Sequence, residues 1–198
     1  MNYATIKKTD VANGPGIRVS LFVSGCTHRC RGCFNSEAWD FGFGQPYTQE
    51  TETAILEALA PEYIRGLSLL GGEPMEPQNR GTVLSLLRKV RQRYPEKDIW
   101  CYTGYDYEKD LLAWAREEQK AYACGAQNRP EEERDGADSQ GGGPESGEVT
   151  QLLSLIDVLV DGEFVEERKN LRLAFRGSEN QRLIDLKESE RQGRTVCL

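Results

Sequence analysis

The sequence predicts an α/β protein built on a parallel β-sheet, either open or barrel-like. Short apolar runs rich in β-branched and aromatic residues alternate with longer segments in which apolar residues recur at helical spacing. This alternation is typical of right-handed βαβ units, in which successive strands run parallel. The length of 198 residues suits a single globular domain.

Four apolar runs are the predicted strands. They are IRVSLFVSG (17–25), GLSLL (66–70), the first part of DIWCYTGY (98–105) and LIDVLVDG (155–162). Each is short and is followed by a turn, as buried strands are; GGEPMEP (71–77) is expected to be a tight non-helical one. Active sites of parallel sheets lie beyond the carboxyl ends of the strands, so the four turns should converge on one edge.

Three segments between the strands are predicted to be helices. Thr48 can cap the first, which should run to about Ala60 because Pro61 stops it. The second, TVLSLLRKVRQRY (82–94), has its apolar residues on one helical face. The third is DYEKDLLAWARE (106–117).

Residues 117–148 have a different composition, poor in large apolar residues and rich in Gly, Glu and Ser. They include nine acidic and three basic residues, so they carry most of the formal net charge of −7. Such a segment cannot bury enough apolar surface to offset its ordering entropy. We expect a disordered insertion within a single domain spanning residues 1–198.

The composition also indicates the cellular compartment and which classes of partner are excluded. The amino terminus, MNYATIKKTD, lacks the apolar core of a signal peptide, and no apolar run approaches the roughly 18 residues of a membrane span. We therefore expect a cytoplasmic protein that does not bind membranes. The acidic balance argues against nonspecific nucleic-acid binding, which needs a basic face.

The cysteines fall into two groups. Three are scattered, Cys101, Cys124 and Cys197, and are assigned no role. The other three, Cys26, Cys30 and Cys33, lie together in GCTHRCRGCFN (25–35), just after the first predicted strand. In a reducing compartment, clustered thiols indicate metal ligands or reactive groups rather than disulfides.

Two kinds of metal site are compatible with three thiolates. A structural zinc site needs a fourth protein ligand, and the single histidine, His28, is poorly placed within the loop to supply it. A 4Fe-4S cluster held by three thiolates instead leaves one iron open for a substrate or cofactor. The spacing favours the cluster, and a noncatalytic zinc-binding module is the alternative.

The motifs resemble a known superfamily. CTHRCRGC (26–33) is similar to the CxxxCxxC signature of radical S-adenosylmethionine enzymes, and GGEP (71–74) resembles their second motif. NGPGIRVSLFVSGC, DIWCYTGY, DVLVDGEF and FRGSENQR extend the resemblance to the glycyl-radical-enzyme activases that serve anaerobic ribonucleotide reductases. This resemblance implies a half TIM-like barrel of parallel strands with outer helices. NGPG in place of DGPG weighs against the alternative of a pyruvate formate-lyase activase.

The resemblance also implies roles for the cysteines and glycines. Cys26, Cys30 and Cys33 would ligate the cluster, and the amino and carboxylate groups of S-adenosylmethionine would chelate the open iron. Gly71 and Gly72 would present backbone carbonyls to the cofactor's ammonium group, a close approach that a Cβ would obstruct. A methyl group at Gly72 is therefore expected to weaken cofactor binding while the cluster survives.

Other positions are implied to contact the nucleoside. Gly32, Cys33 and Phe34 would lie along it, and Phe34 would replace the aromatic residue that many superfamily members carry at the position of Gly32. Thr103 is a candidate for a cofactor hydroxyl contact. Glu73 stands where many members have Asp, a change that should be tolerated because the backbone makes the implied contact.

The implied reaction involves two partners. A one-electron donor such as a flavodoxin or ferredoxin would reduce the cluster, and S-adenosylmethionine would be cleaved to methionine and a 5'-deoxyadenosyl radical. That radical would take a hydrogen atom from a glycine in the large subunit of the anaerobic ribonucleoside-triphosphate reductase. The polar stretch with Arg176, Asn180, Gln181 and Arg182 is either solvated surface or a contact with that subunit.

Overall fold

The computed structural model describes residues 1–127 and 147–198, with the backbone alone for 123–127, and shows a seven-stranded sheet. The spatial order of the strands is β3-β1-β2-β4-β5-β6-β7. Their bounds are β1 Asn2–Asp10, β2 Ile17–Val23, β3 Gln45–Pro46, β4 Ile64–Gly71, β5 Asp98–Tyr102, β6 Val158–Asp161 and β7 Arg182–Asp185.

The four predicted strands are confirmed as β2, β4, β5 and β6, the parallel centre of the sheet. The three outer strands were not predicted, and all pair antiparallel: β1 with β2, β3 with β1, and β7 with β6. The sheet is therefore α/β in class, mixed in strand direction and open. β1 was not predicted because its sequence, NYATIKKTD, is mostly polar and only Asp10 of it is buried, as suits a strand near a sheet edge.

The described helices are α1 Gln49–Leu59, α2 Pro77–Arg93, α3 Leu112–Gln127, α4 Glu148–Leu155 and α5 Leu186–Gln192. The predicted cap is confirmed, since the Thr48 hydroxyl accepts a hydrogen bond from Thr51 N at 3.4 Å. α2 begins within the segment predicted to be a turn, because Pro77 is well suited to the first helical position. A π-helical turn, Tyr107–Leu111, leads into α3.

The predicted insertion falls only partly within the described residues. α3 continues to Gln127, ten residues beyond the start expected for the disordered segment, and α4 begins at Glu148. Residues 128–146 lie outside the described residues, so their disorder, like the single-domain interpretation, stays a prediction. Within 1–127 and 147–198, no helix is both long and apolar enough to cross a membrane.

The two faces of the sheet differ in what covers them. On one, here called the helix-covered face, alternate strand residues such as Leu21, Leu69 and Ile99 join a core cluster with side chains of the helices. The opposite side, the helix-free face, carries two rows of neighbouring strand residues. The upper row, nearer the carboxyl ends of the strands, is Phe22, Leu70, Tyr102 and Val160, and the lower row is Ser20, Ser68, Trp100 and Val158.

The NGPG loop (13–16) and a buried arginine, Arg18, cover the lower row of the helix-free face. The Arg18 side chain is fully buried, pairs with Asp98, and donates through Nε to Ser68 Oγ at 2.8 Å. Ser68 Oγ in turn donates to the carbonyl of Asn13 at 2.6 Å, and Asn13 Nδ2 donates to Asp10. This network leaves the upper row, next to the strand ends, as the floor of the site.

Candidate functional site

The predicted convergence of the four strand-end turns is confirmed by backbone hydrogen bonds between them. The bonds run from Gly72 N to Val23 O (2.7 Å), Glu73 N to Gly25 O (2.8 Å), Thr103 N to Val160 O (2.9 Å) and Gly162 N to Tyr105 O (3.2 Å). Each bond joins the turn or end of one strand to that of its neighbour. A side-chain bond, from Gly104 N to Glu73 Oε2, joins the turns after β4 and β5, so the four turns form a continuous rim at the carboxyl edge of the parallel strands.

A cavity of about 720 Å³ opens inside this rim. Seven of the predicted site residues line it: Cys26, Cys30, Cys33, Phe34, Gly71, Gly72 and Thr103. Gly32 is not among the described residues that line it. The cavity continues over the upper row of the helix-free face, along Phe22, Leu70 and Tyr102.

The cysteine loop is held from below by α2. Glu76, at the amino-terminal cap of α2, is buried and accepts hydrogen bonds from both N and Oγ1 of Thr27, the former at 2.7 Å. Asn79, one turn further on, donates to the carbonyls of Ser24 and Glu73. Both ends of the rim between β2 and β4 are therefore fixed to the start of one helix.

The three clustered thiols are free and half-buried, and they do not converge on a single ion position. Among the described residues, the one group of three potential ligand atoms within 4.8 Å of one another is Asp106, Glu108 and Asp161. A mononuclear tetrahedral zinc site requires closely gathered ligands. Three soft thiolates facing one cavity from separate points suit a larger iron–sulfur cluster, in which each sulfur meets a different iron.

Burial affects the protonation of two of the clustered thiols, those of Cys26 and Cys30. It raises the pKa of Cys26 to about 11, with the nearby negative charge of Glu73 adding to the effect, and it also raises the pKa of Cys30. Without a metal the thiols of Cys26 and Cys30 are protonated at neutral pH. Metal loading must therefore displace protons, which makes it dependent on pH.

His28 is engaged by two carboxylates and is not placed as a metal ligand. Its Nδ1 donates to Glu163 Oε1 at 2.8 Å, and its Nε2 lies 3.5 Å from Glu73 Oε2. Burial disfavours the charged ring, but hydrogen bonds and charges from Glu73 and Glu163 outweigh it and raise the pKa of His28 to about 9. The zinc hypothesis thereby loses its only histidine.

Glu73 has a larger part in the site than the sequence indicated. The residue is buried, and its Oε1 accepts from Met75 N at 2.8 Å. Oε2 accepts from Gly104 N at 2.7 Å, across to the turn after β5. The carboxylate therefore ties two strand-end turns together. From the sequence Gly-Gly-Glu-Pro, only the backbone of this turn was predicted to make a contact, because a turn motif does not show what the Glu73 side chain will bind.

The glycines at the cavity make close approaches of two kinds. Gly71 has φ +103°, which favours glycine, and a Cβ there would lie 2.7 Å from Phe22 Cα. A Cβ at Gly72 would lie 2.5 Å from Gly25 O and 2.9 Å from Ala38 O. The obstruction at Gly72 is therefore against the backbone beside the cysteine loop, in addition to any contact with a ligand.

Gly32, Phe34 and Thr103 differ in how they face the cavity. A Cβ at Gly32 would lie 2.9 Å from the carboxylate of Glu166, outside the cavity lining. The Phe34 ring, 63% exposed, packs edge-on against Phe164 at 5.4 Å and lines the cavity. Thr103 is buried, and its hydroxyl accepts from Tyr105 N at 3.1 Å. Their nucleoside contacts stay predictions.

The carboxy-terminal polar stretch folds back onto the turn after β6. Gln181 accepts from Gly177 N at 2.9 Å and donates to Gly162 O at 3.0 Å. The guanidinium of Arg182 pairs with Asp106, Glu108 and Asp161, and so occupies the centre of that acidic group. Neither sequence interpretation, surface or partner contact, anticipated this internal role.

The chain is similar to a protein family and to several named proteins. Residues 12–124 and 138–184 match the family model described as a 4Fe-4S single cluster domain. The anaerobic ribonucleoside-triphosphate reductase-activating protein of Vibrio cholerae is 41% identical over 183 residues, 91% of this chain and 96% of that one. The proteins of the same name from Escherichia coli K12 and phage T4 are 37% and 36% identical, covering 91% and 92% of this chain and 96% and 93% of theirs.

Proposed function

The chain belongs to the family of anaerobic ribonucleoside-triphosphate reductase-activating proteins, and from this we propose that it generates a glycyl radical on the large subunit of such a reductase. The observation that carries the proposal is the placement of three free thiols and the Gly71–Gly72 turn around one cavity. That arrangement provides metal ligands and an adjoining space for a cofactor and a substrate.

In this proposal the three thiolates of Cys26, Cys30 and Cys33 hold a 4Fe-4S cluster with one iron open to S-adenosylmethionine. When bound, these groups would supply one-electron reductive cleavage of S-adenosylmethionine, with the electron coming from an external donor and the abstracted hydrogen atom from the reductase glycine. The protein is then an oxidoreductase of the radical S-adenosylmethionine type. A flavodoxin or ferredoxin is the proposed donor.

The chain's own residues orient and enclose these groups. Glu76 fixes the cysteine loop through Thr27, and Glu73 fixes the turn after β5 through Gly104. Because both carboxylates are buried, their hydrogen bonds hold the loops in one geometry more firmly than exposed ones would. Preorganised loops of this kind position reacting groups without rearrangement.

The cofactor-binding residues follow the same geometry. Gly71 and Gly72 are proposed to turn the backbone toward the amino acid end of S-adenosylmethionine, and Phe34 and Thr103 to lie near its nucleoside. The helices pack on one face and the cavity lies on the other. This division supports our proposal that the sheet curves as a half TIM-like barrel with the helix-free face inside.

Two alternatives have less support. An activase of another glycyl radical enzyme, such as pyruvate formate-lyase, is disfavoured because the relatives described above are named for the ribonucleotide reductase. A noncatalytic zinc module is disfavoured by the spread of the thiols and the engagement of His28. The free thiols suit the reducing cytoplasm, where we place the protein.

The test is anaerobic reconstitution with iron and sulfide, followed by metal analysis and three measurements. We expect the absorption spectrum of a 4Fe-4S cluster, formation of 5'-deoxyadenosine on addition of reductant and S-adenosylmethionine, and a glycyl radical signal on the added reductase. A colourless protein that retains zinc would refute the proposal. Cofactor cleavage without a radical on this reductase would favour a different glycyl radical enzyme as partner.

A further inference from the structure

A loop covers part of the cavity on the helix-free face. Residues 169–178, here called the strap, are closed at their base by a bridge between Lys169 and Ser178. Asn170 N also donates to Gly177 O at 3.1 Å. The strap is therefore a defined hairpin, and four of its side chains and its single glycine line the cavity: Leu171, Leu173, Phe175, Arg176 and Gly177.

Beyond its base, the strap packs on the sheet through Phe175, while its tip is exposed. Phe175 packs edge-on against Trp100 of the helix-free face, with ring centroids 5.4 Å apart. Its backbone has φ +58°, a conformation that is unusual for a bulky side chain and that the surroundings must impose. Leu171, nearer the tip, is 80% exposed although it borders the cavity. An apolar wall therefore leads from the surface into the site.

Four residues that line the cavity carry a buried polar atom without a hydrogen-bond partner among the described residues: His28, Trp39, Tyr102 and Arg176. Of these, Tyr102 belongs to the helix-free face and Arg176 to the strap. Tyr102 Oη and Arg176 Nε are both buried, and neither forms a hydrogen bond within residues 1–127 and 147–198. Arg176 also has no ion pair there, whereas Arg182 in the same motif has three. Buried polar groups are nearly always hydrogen-bonded, so each such exception calls for an explanation.

The chemistry of the two groups identifies what would satisfy them. A guanidinium Nε–H can only donate, and a tyrosine hydroxyl donates readily, so the missing partners are oxygen acceptors. An extended polypeptide offers a carbonyl at every residue, and its side chains can rest on the apolar wall of the strap. The upper row of the helix-free face, to which Tyr102 belongs, lies directly below the Gly71–Gly72 turn.

We propose that Tyr102 and Arg176 form a peptide-binding subsite that donates hydrogen bonds to backbone carbonyls of the glycine-bearing segment of the reductase. The inference rests on the proposed function, which requires a glycine of another polypeptide to enter this cavity. In this binding mode the reductase segment lies along Leu171 and Leu173 of the strap and extends to the space beside the cysteine loop. Tyr102 and Arg176 are positioning residues, since they fix the backbone on either side of the reacting glycine.

The test compares single variants of the anaerobically reconstituted protein with S-adenosylmethionine bound. The probe is a synthetic peptide spanning the glycine-bearing segment of the reductase large subunit, and its affinity is measured by titration calorimetry. We expect Tyr102→Phe and Arg176→Met each to weaken peptide binding by about tenfold, the effect of losing one buried hydrogen bond. Affinity for S-adenosylmethionine, measured separately, should be unchanged in both.

Matched controls come from the same chain. Tyr47→Phe removes another buried, unpartnered hydroxyl, but one that does not line the cavity. Arg172→Met removes a positive charge from the strap at an exposed position outside the lining. Both should bind the peptide as the wild type does, and denaturation curves should show that all four variants are folded.

Three outcomes overturn the inference and are distinguishable. Unchanged peptide affinity in Tyr102→Phe and Arg176→Met, with radical formation by the wild type intact, removes the subsite and leaves the proposed function standing. Weakened S-adenosylmethionine binding in Arg176→Met would assign that side chain to the cofactor's carboxylate instead. Failure of the reconstituted wild type to cleave S-adenosylmethionine would remove the proposed function and the inference with it.

Discussion

The two faces of the sheet are held together by different interactions. On the helix-covered face, aliphatic side chains such as Leu21 and Leu69 are fully buried against the helices. On the helix-free face the same strands fully bury Arg18, Ser20 and Ser68, joined in hydrogen-bonded networks with the NGPG loop. Apolar packing is nondirectional, whereas hydrogen bonds fix distance and angle.

The difference separates what stabilises the protein from what positions the site. Apolar packing tolerates changes of similar volume and supplies most of the folding free energy. The buried polar groups contribute less net stability, but leaving one unpaired is costly, so they specify a single loop arrangement. We expect changes on the helix-covered face to lower stability alone, and changes at the helix-free face and rim to disturb the site as well.

The largest difference in activity is expected between the cysteines of the loop after β2 and Cys101 in the core of the helix-covered face. Alanine at Cys26, Cys30 or Cys33 removes one of three cluster ligands and should reduce cleavage of S-adenosylmethionine to background. Cys101→Ala, on the helix-covered face, should cost about 1 kcal/mol of unfolding free energy and leave cleavage intact. Formation of 5'-deoxyadenosine by the reconstituted variants decides the comparison. Full activity in any of the three ligand variants would contradict it.

The next contrast pairs one buried residue from each face. Arg18→Met removes the donor to Ser68 Oγ and to the carbonyl of Leu67, while Asp98 keeps its pair with Arg65, and it should cost about 1–3 kcal/mol of unfolding free energy. Leu69→Ala creates a cavity against the helices and should cost about 3 kcal/mol. Denaturant unfolding measures both losses. Hydrogen exchange of residues 11–16 should increase in Arg18→Met alone, and an equal increase in Leu69→Ala would erase the distinction.

The same division explains which features the sequence could predict. The four central strands and helices α1, α2 and α3 have apolar periodicity, because each must bury one face or both, and this pattern is local. Helices α4 and α5 were not predicted; they are only eight and seven residues long. β1 and β7 carry little of this periodicity, and β7 is only four residues long. Their place in the sheet depends on pairing with distant strands, which no local pattern records.

At the site, the spacing of the cysteines predicted that they share a cavity, but the sequence did not predict which residues the longer side chains contact. Cys26, Cys30 and Cys33 form a compact motif, so their shared cavity was predictable. The contacts from Glu73 to Gly104 and from His28 to Glu163 span 31 and 135 residues. Such contacts exist only once the strands are parallel and in register, and a single sequence does not contain that information.

Alanine at Gly72, in the rim, is compared with alanine at Gly81, in helix α2. Gly72→Ala places a methyl group 2.5 Å from Gly25 O, against backbone that cannot easily move, and should cost about 2 kcal/mol of unfolding free energy. We expect reduced iron content as well, because Gly25 adjoins Cys26; this replaces the expectation from sequence that the cluster would survive. Gly81→Ala is the control, since its methyl group would meet only the carboxylate of Glu148 at 3.3 Å.

The Gly81→Ala variant should be neutral or slightly more stable, because alanine is the better helix former on the exposed surface of α2. Iron per chain after reconstitution and the denaturation midpoint of the metal-free protein are the two measurements. A Gly72→Ala protein with wild-type stability and full iron loading, but weaker cofactor binding, would show that the methyl group obstructs only the ligand.

The smallest difference between paired variants is expected for the two carboxylates that flank His28. Glu73→Gln keeps the shape of the side chain, but its amide cannot accept from both Met75 N and Gly104 N, so one buried donor loses its partner. We expect a loss of about 1–3 kcal/mol of unfolding free energy. Glu163→Gln changes a carboxylate that is 57% exposed, and the loss should stay within about 0.5 kcal/mol. Since both variants remove one negative charge beside the same imidazole, equal losses would mean that charge on His28, rather than the link between the two turns, accounts for the role of Glu73.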